Sequence, residues 1–584
     1  MKRILSLFLA CTLVLCSMGS CNSSDSNQNE GSVNSETASS QINDMPIEKI
    51  EEVDVKSTLS AESSTILDVT SSNNFNALAG DRTPSNAILH LNDDLFIIAD
   101  DGLYVPFEAA LAMCEENVVP VLYVTNKNIA TSLGKKLAEQ EITDCIVMSD
   151  DAELVKITRE LAPKVSGAID ARDNELDEDL SYLIQVRDEA NRNNAKIVLF
   201  GSDAERDDVL YLQRRLMTVW VEADDDTVES HCNALITGAN GIVTSYTDSL
   251  FNAIDKFEKD TLFREVNIVG HRGQPITNVD NTLSGARAAI DAGADAIECD
   301  IHLTGDMEFV IMHDNDISYY TEGVGKSETL RTDQVQFFVI KGTKGEHIPT
   351  LKQFFDSFRN DDIIHTIEIK TTNPDAIYLL RDLITQCGVS HQVNLISFYM
   401  DQLKLAREVM PEISCGYLGT IDGVYSNIAR AVNTYNLSYH PVHYKMSPGN
   451  AYELNNRGVS VNPWTYSDEK TMCDAMMYGY TSLTTDGSLW ASDFVTEIIP
   501  NKNYKMTVGE TFQFKATAKT KTGGKEIICE PIVVGGDNIT FTKSGEGFTA
   551  SAAGETKVLL KYSELLKNGK IIYHYSQSVN VTIK

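Results

Sequence analysis

VNIVGHRGQPITNVDNTLSGARAAIDAGADAIECDIHLTGDMEFVIMHDND, residues 266–316, is the stretch on which the fold turns. Val266–Val269 is a short apolar run that stops at Gly270, the pattern of a buried parallel strand, and it hands His271 and Arg272 to the strand's C-terminal end. Asn281–Thr282 supply a helix start and Gly293 a stop, which predicts a helix running to Ala292. Ala296–Ile301 reads as a second strand. Side chains alternate between the faces of a strand, so Glu298 and Asp300 point the same way and Cys299 points the other. Gly305–Asp306 suits a tight turn, after which Phe309–Met312 returns the chain to His313–Asp314.

Two neighbouring carboxylates on one strand face are costly to bury unless a cation or a base neutralises them. A third follows on Thr366–Lys370, a short strand with Glu368 and Lys370 on a common face. Strand ends thus gather His271, His313, Glu298, Asp300, Glu368, Arg272 and Lys370. Three oxygen ligands suit a hard divalent cation, Ca²⁺ or Mg²⁺. Arginine and lysine suit a phosphate, and paired histidines suit proton transfer in both directions.

The ordered pieces H-R-G (271–273), D-N-T (280–282), E-C-D (298–300), L-T-G-D (303–306), H-D (313–314) and E-I-K (368–370) resemble the glycerophosphodiester phosphodiesterase family. Ser397–Phe398, Trp464–Thr465 and Thr485–Asp486 extend the resemblance over 266–495. The family usually has Glu ahead of Asn-Thr; here Asp280 keeps the charge and shortens the reach. The resemblance implies a (β/α)₈ barrel that hydrolyses glycerophosphodiesters to glycerol 3-phosphate and an alcohol. It implies Glu298, Asp300 and Glu368 as ligands of one divalent cation, Arg272 and Lys370 as phosphate-binding groups, and His271 and His313 as general acid and base. It further implies attack by the glycerol 2-hydroxyl through a cyclic phosphate. Two other readings are a catalytically weak surface-binding protein and a phosphodiesterase acting on lipid or polyglycerol phosphate. His302, His347 and His365 are expected to be structural, while His440 and His443 fall near a late strand end.

Strand patterns recur at 266–270, 296–301, 366–370, 393–397, 414–418, 437–440, 459–462 and 481–485, enough for a barrel whose sites lie at the C-terminal strand ends. Strands and helices also alternate over 87–260, an α/β pattern. Trp220 followed by Ile236–Thr244 parallels Trp464 followed by Met477–Thr485, so this region reads as an internal copy of the next. It lacks H-R-G, H-D and E-x-K, and is expected to be a degenerate, non-catalytic barrel-like domain that serves as support or binds glycan or polymer. From 500 to 584 polar and apolar residues alternate between Gly-rich turns, which predicts a small all-β sandwich. Within it, V-G-E-T-F-Q-F (508–514) resembles bacterial immunoglobulin-like surface domains, an expected spacer or cell-wall contact.

Lys2–Arg3, an apolar run from Ile4 to Leu15 and small residues before Cys21 have the layout of a signal peptide over 1–21, and Met18–Cys21 resembles a lipobox. The expected product is a secreted, cell-surface lipoprotein anchored at Cys21, with a polar tether over 22–86 too poor in apolar residues to build a core. A formal charge of −35 over 584 residues argues against nucleic acid and against adhesion to anionic lipid, leaving the lipid anchor as the membrane contact. Of eleven cysteines, the eight beyond the leader are singletons without close spacing, which points to small buried hydrophobes rather than a disulfide framework.

Overall fold

A computed structural model describes residues 62–584 apart from 81, 115–116, 174–175 and 177–179. The expected leader, Cys21 and the tether up to residue 61 lie outside the described residues. Eight strands, β1 (Ser64–Asp68), β2 (Asn86–His90), β3 (Val119–Tyr123), β4 (Ile146–Ser149), β5 (Ser166–Asp170), β6 (Ile197–Phe200), β7 (Thr218–Glu222) and β8 (Gly241–Thr244), close into an all-parallel barrel, β8 pairing back onto β1. Its interior is apolar, filled by Ile66, Ile88, Val121, Met148, Leu199 and Trp220. The barrel begins at Ser64, inside the stretch expected to be tether. Ser-Thr-Ile-Leu-Asp between polar flanks carries too little pattern to read as a strand; pairing with β8 and β2, both distant in sequence, makes it one.

The second barrel holds β9 (Asn267–Gly270), β10 (Ala296–Leu303), β11 (Phe309–Ile311), β12 (Ile364–Ile369), β13 (Val393–Ser397), β14 (Ser414–Leu418), β15 (Leu437–His440) and β16 (Ser482–Thr485). Parallel pairing runs β15-β14-β13-β12-β10-β9-β16, and β11 folds back antiparallel on β10. The strand expected at 459–462 is instead an irregular stave. Single parallel bridges, Tyr439–Val461, Val442–Trp464 and Tyr466–Thr485, carry it across the gap between β15 and β16. Pro463, which has no N–H to give a ladder, sits in the middle of it. The predicted helix spans Leu283–Asp291, with Thr282 Oγ1 capping the Gly285 N–H at 3.0 Å and Gly293 beyond the end at φ +86°.

The two barrels pack floor to floor. Ser64 Oγ donates to Asn456 Oδ1 (2.7 Å), Asn86 Nδ2 to the Asn456 carbonyl (2.7 Å), Thr218 Oγ1 to the Gly458 carbonyl (3.1 Å) and Asn394 Nδ2 to the Arg214 carbonyl (3.0 Å). All of these residues lie at N-terminal strand ends or just before them, so the two C-terminal mouths open in opposite directions. The seam is pseudo-symmetric. R-E-L-A-P (159–163) and R-E-V-M-P (407–411) each bury an arginine whose Nη1 bonds the carbonyls four and six residues on. Each Nη2 then reaches the other barrel, Arg159 to the Asn433 carbonyl and Arg407 to that of Asn191.

The C-terminal strands are β17 (Val495–Pro500), β18 (Asn503–Met506), β19 (Phe514–Thr520), β20 (Gly524–Gly536), β21 (Phe541–Ser544), β22 (Gly547–Ala550), β23 (Gly554–Leu565), β24 (Ile571–Tyr575) and β25 (Val579–Ile583). They pair in the order β17-β19-β20-β23-β25-β18, with β24 on β23 and a separate β21–β22 hairpin. β20 pairs with β19 over its first half and with β23 over its second, passing from one sheet to the other. This domain is locked to both barrels. Lys521 Nζ, with 4 % of its side chain exposed, lies between the carboxylates of Glu265 and Asp295, which Arg206 and Arg214 of the first barrel also engage. The eight described cysteines are all buried and unpaired.

Candidate active site

The site stands at the C-terminal mouth of the second barrel. β9 ends at Gly270, and the turn after it needs left-handed backbone at Arg272 (φ +54°) and Gly273 (φ +95°). A Cβ at Gly273 would lie 2.6 Å from the Gly285 carbonyl carbon, so only glycine lets the helix beginning at Leu283 approach the turn. That turn aims the Arg272 N–H at Glu298 Oε2 (2.9 Å) and its guanidinium at Asp300, with Nε 3.4 Å from Oδ2. Asp280 Oδ2 lies 3.5 Å from Arg272 Nη1.

Glu298 and Asp300 share the inner face of β10, and Glu368 is the rung partner of Asp300 on β12. They are 3 %, 1 % and 8 % exposed, and one oxygen from each lies within 4.8 Å of the others. Among the described residues no other group of three His, Cys, Asp or Glu side chains meets that spacing. Lys370 Nζ stands 2.9 Å from Glu368 Oε1 and 3.2 Å from Asp300 Oδ1, and Asn281 Nδ2 donates to Asp300 Oδ2 at 2.9 Å. Burial and the charges of Asp300 and Glu368 push the Glu298 carboxyl well up. Burial pushes Glu368 up to about 7 against the pull of Lys370. Burial opposes ionisation of Asp300 as well, yet Lys370 and Arg272 hold its carboxyl below the usual range. Three buried carboxylates that cannot all ionise together, with a cluster of oxygens at this spacing, fit a divalent cation.

His271 Nδ1 lies 2.7 Å from Asp486 Oδ1, and Ser467 Oγ donates to Asp486 Oδ2 at 2.5 Å. Burial works against the Asp486 charge, but the His271 bond keeps its carboxyl low. His313 follows β11. Its N–H and that of Asp314 both donate to Tyr320 Oη (3.1 Å each), and its carbonyl lies 3.0 Å from His302 Nε2. Burial lowers the affinity of the His313 ring for a proton, with Asp300 pulling the other way. His271, His313, Arg272, Glu298, Glu368 and Lys370 line one pocket of about 110 Å³, walled on its far side by Phe398, Leu418 and Trp464.

All seven residues singled out in the sequence are therefore brought to one mouth, Asp300 as the buried neighbour of the pocket-lining set. His302 props the His313 loop, His365 is buried between Phe354 and Phe355, and His347 bonds the Phe338 carbonyl. His440 lines the pocket, bonded to Ser438 Oγ at 2.9 Å and held by burial near a pKa of about 3. His443 packs beside Tyr466 instead. Asp486, Ser467, Asn281 and Tyr320 were not assigned roles from sequence. Asn281 belongs to D-N-T and Asp486 to the Thr485–Asp486 pair, whereas Ser467 and Tyr320 lie outside the family motifs.

The first barrel's mouth differs chemically. Counting rungs from the paired Ser64–Gly241 and Asn267–Ser482, Ile88, His90 and Tyr123 stand where Glu298, Asp300 and Glu368 stand in the second barrel. There the Arg172 guanidinium fills the space among the carboxylates of Asp68, Asp170 and Glu222, at 3.0, 2.8 and 2.7 Å.

A parallel barrel with this mouth offers one place for a divalent cation and a phosphoryl group. Residues 271–488 match the glycerophosphoryl diester phosphodiesterase family. The glycerophosphodiester phosphodiesterase of Caldanaerobacter subterraneus subsp. tengcongensis is 26 % identical over 227 residues, 38 % of this chain and 93 % of that protein. A human lysophospholipase D is 27 % identical over 134 residues, 21 % of this chain and 42 % of that protein. Among solved structures, an Oleispira antarctica phosphodiesterase in complex with sn-glycerol-3-phosphate aligns at TM-score 0.36 and 20 % identity, covering 39 % of this chain and 96 % of that one. A glycerophosphodiester phosphodiesterase from Thermotoga maritima aligns at TM-score 0.32 and 25 % identity with the same coverage. The second barrel belongs to the glycerophosphodiester phosphodiesterase family, a family of hydrolases.

Proposed function

We propose that the protein hydrolyses glycerophosphodiesters to glycerol 3-phosphate and an alcohol, with Glu298, Asp300 and Glu368 holding one divalent cation, Ca²⁺ or Mg²⁺. The observation that carries this is the convergence of three buried carboxylates, Arg272, Lys370 and two histidines on one small pocket. When bound, the cation supplies positive charge for a non-bridging phosphoryl oxygen. Arg272 and Lys370 hold the phosphoryl group and offset the charge that grows on it. Asp486 accepts the Nδ1–H of His271, which leaves Nε2 as the nitrogen that exchanges a proton with the substrate. His271 and His313 divide the proton traffic. One takes the proton from the glycerol 2-hydroxyl as its oxygen attacks phosphorus, and the other returns a proton to the alkoxide as the P–O bond to the alcohol breaks. Water then opens the cyclic phosphate. Phe398, Leu418 and Trp464 close one side of the pocket and limit its water. The chain's N-terminal pattern supports attachment at Cys21 as a surface lipoprotein, which would put this chemistry outside the cell.

The test is incubation of full-length protein with glycerophosphocholine and separate assay of both products. Equimolar glycerol 3-phosphate and choline support the reading; phosphocholine and glycerol, or no turnover with any of several head groups, reject it.

A further inference from the structure

β17 is an edge strand. β19 takes one of its sides, and among the described residues no strand pairs with the other. That free side opens on a cleft of about 730 Å³ between the C-terminal domain and the first barrel, floored by Thr261, Leu262 and Phe263 of the inter-barrel linker. Five consecutive residues, Thr496–Pro500, line the cleft. Successive side chains of a strand point to opposite faces, so an unbroken run of lining residues means that the backbone edge itself forms the wall. Unpaired N–H and C=O groups along such an edge are a template for another extended segment.

The facing wall has a definite charge. Asp203, Glu205, Asp207, Asp224 and Asp225, on the loops and helix start that follow β6 and β7, line it, while Glu497 of β17 is paired with Lys519 at 3.7 Å. The basic side chains in the lining are already paired: Arg206 with Glu265, Lys557 with Glu229 and His574 with Glu564. Anionic ligands are therefore repelled, and a cationic occupant is favoured. Volume, a free edge and one sign of charge together select a chain rather than a small ion.

We propose that this cleft binds an extended basic peptide segment of a partner protein, added as a strand to the free edge of β17. Main-chain hydrogen bonds hold the segment in register, and every second side chain, lysine or arginine, meets the acids on the first barrel. The site lies on the first barrel and the C-terminal domain, so it gives both flanking domains a task separate from the phosphodiesterase mouth.

The experiment uses full-length protein and three fluorescent hexapeptides at low salt: an alternating lysine–valine peptide, its glutamate–valine counterpart, and the lysine peptide N-methylated at alternate residues. N-methylation keeps the charge and removes edge-pairing N–H groups. The lysine peptide is expected to bind, and the N-methylated form to bind at least about 10-fold more weakly, the loss of one or two net hydrogen bonds. The glutamate peptide is expected not to bind. The double substitution Asp203→Asn and Asp224→Asn is expected to weaken the lysine peptide by at least about 10-fold while hydrolysis of glycerophosphocholine is unchanged. Failure of the lysine peptide to bind overturns the proposal. So does equal binding of the N-methylated peptide, which would make the contact one of charge alone, or binding of the glutamate peptide.

Discussion

His271 and Asp486, 215 residues apart in the chain, lie 2.7 Å from one another because parallel strands β9 and β16 are neighbours in the barrel. The His271 N–H meets the Thr485 carbonyl at 2.9 Å one residue earlier, so backbone pairing sets the side-chain pair. A carboxylate can only accept here, and it fixes the proton of His271 on Nδ1. Asp486→Asn keeps the shape and loses that preference. We expect kcat to fall by about 10²- to 10⁴-fold with KM little changed, and Asp486→Glu to recover part of the loss. A steady-state comparison of the three proteins is the check; an unchanged kcat in the asparagine variant would detach Asp486 from the mechanism.

His271→Ala and His313→Ala should each lower turnover by at least about 10²-fold, the scale of a positioned acid or base. Because the two act in one proton cycle, the double variant should be little worse than the poorer single one. Kinetics on a chromogenic phosphodiester will show this directly, and near-normal rates in either single variant would remove that ring from catalysis.

Gly273→Ala places a methyl group against the backbone of Gly285 and Ala286 at a position with φ +95°. The expected cost is about 1–3 kcal/mol of stability, together with loss of activity as Arg272 is dragged from Glu298. Chemical denaturation and turnover on the same preparation separate the two effects. Gly345→Ala, where nothing stands within 4 Å, is the control that should keep activity although its φ is also positive.

Acid should loosen the seam between domains. Burial opposes the Glu265 charge, but Lys521, Arg206 and Arg214 outweigh it and hold the carboxyl at about 2 instead of 4.5. A lowered folded-state pKa means stability present above 4.5 and lost as pH falls from there toward 2, of order 3 kcal/mol in all. Lys521→Met leaves two buried acids facing the arginines alone and should cost about 3–5 kcal/mol at neutral pH. Denaturant melts at pH 7, 5 and 4 will test both statements. Equal stability of variant and parent at neutral pH would show that the Lys521 pairs contribute nothing net.

Much of the second barrel was legible because its ligands come in local pairs. Strand alternation puts Glu298 beside Asp300 and Glu368 beside Lys370 whatever the rest of the chain does, and short apolar-rich runs mark β9, β12 and β13, the first closed by Gly270. What escaped depends on partners far along the chain. β1 is a strand only because β2 and β8 flank it, and the stave around Pro463 is held by three single bridges without a ladder. Asn281 looks like part of a helix start, yet its amide also holds Asp300. The alternating pattern predicts a barrel-like first domain, but its closure is not legible, since the interior residues, Ile66 to Val243, are ordinary apolar strand residues. The floor-to-floor seam left a signal that periodicity does not capture, the repeated R-E-x-x-P of residues 159–163 and 407–411.

The central claim is that the carboxylates of the second barrel, and not those of the first, form a cation site. Anomalous scattering from crystals soaked in Mn²⁺, a cation that accepts the same oxygen ligands, tests it most directly. The account predicts a peak among Glu298, Asp300 and Glu368, lost in Glu298→Gln, and none at the level of Ile88, His90 and Tyr123. An empty triad in the parent protein, or a peak at the first barrel's mouth instead, would contradict it.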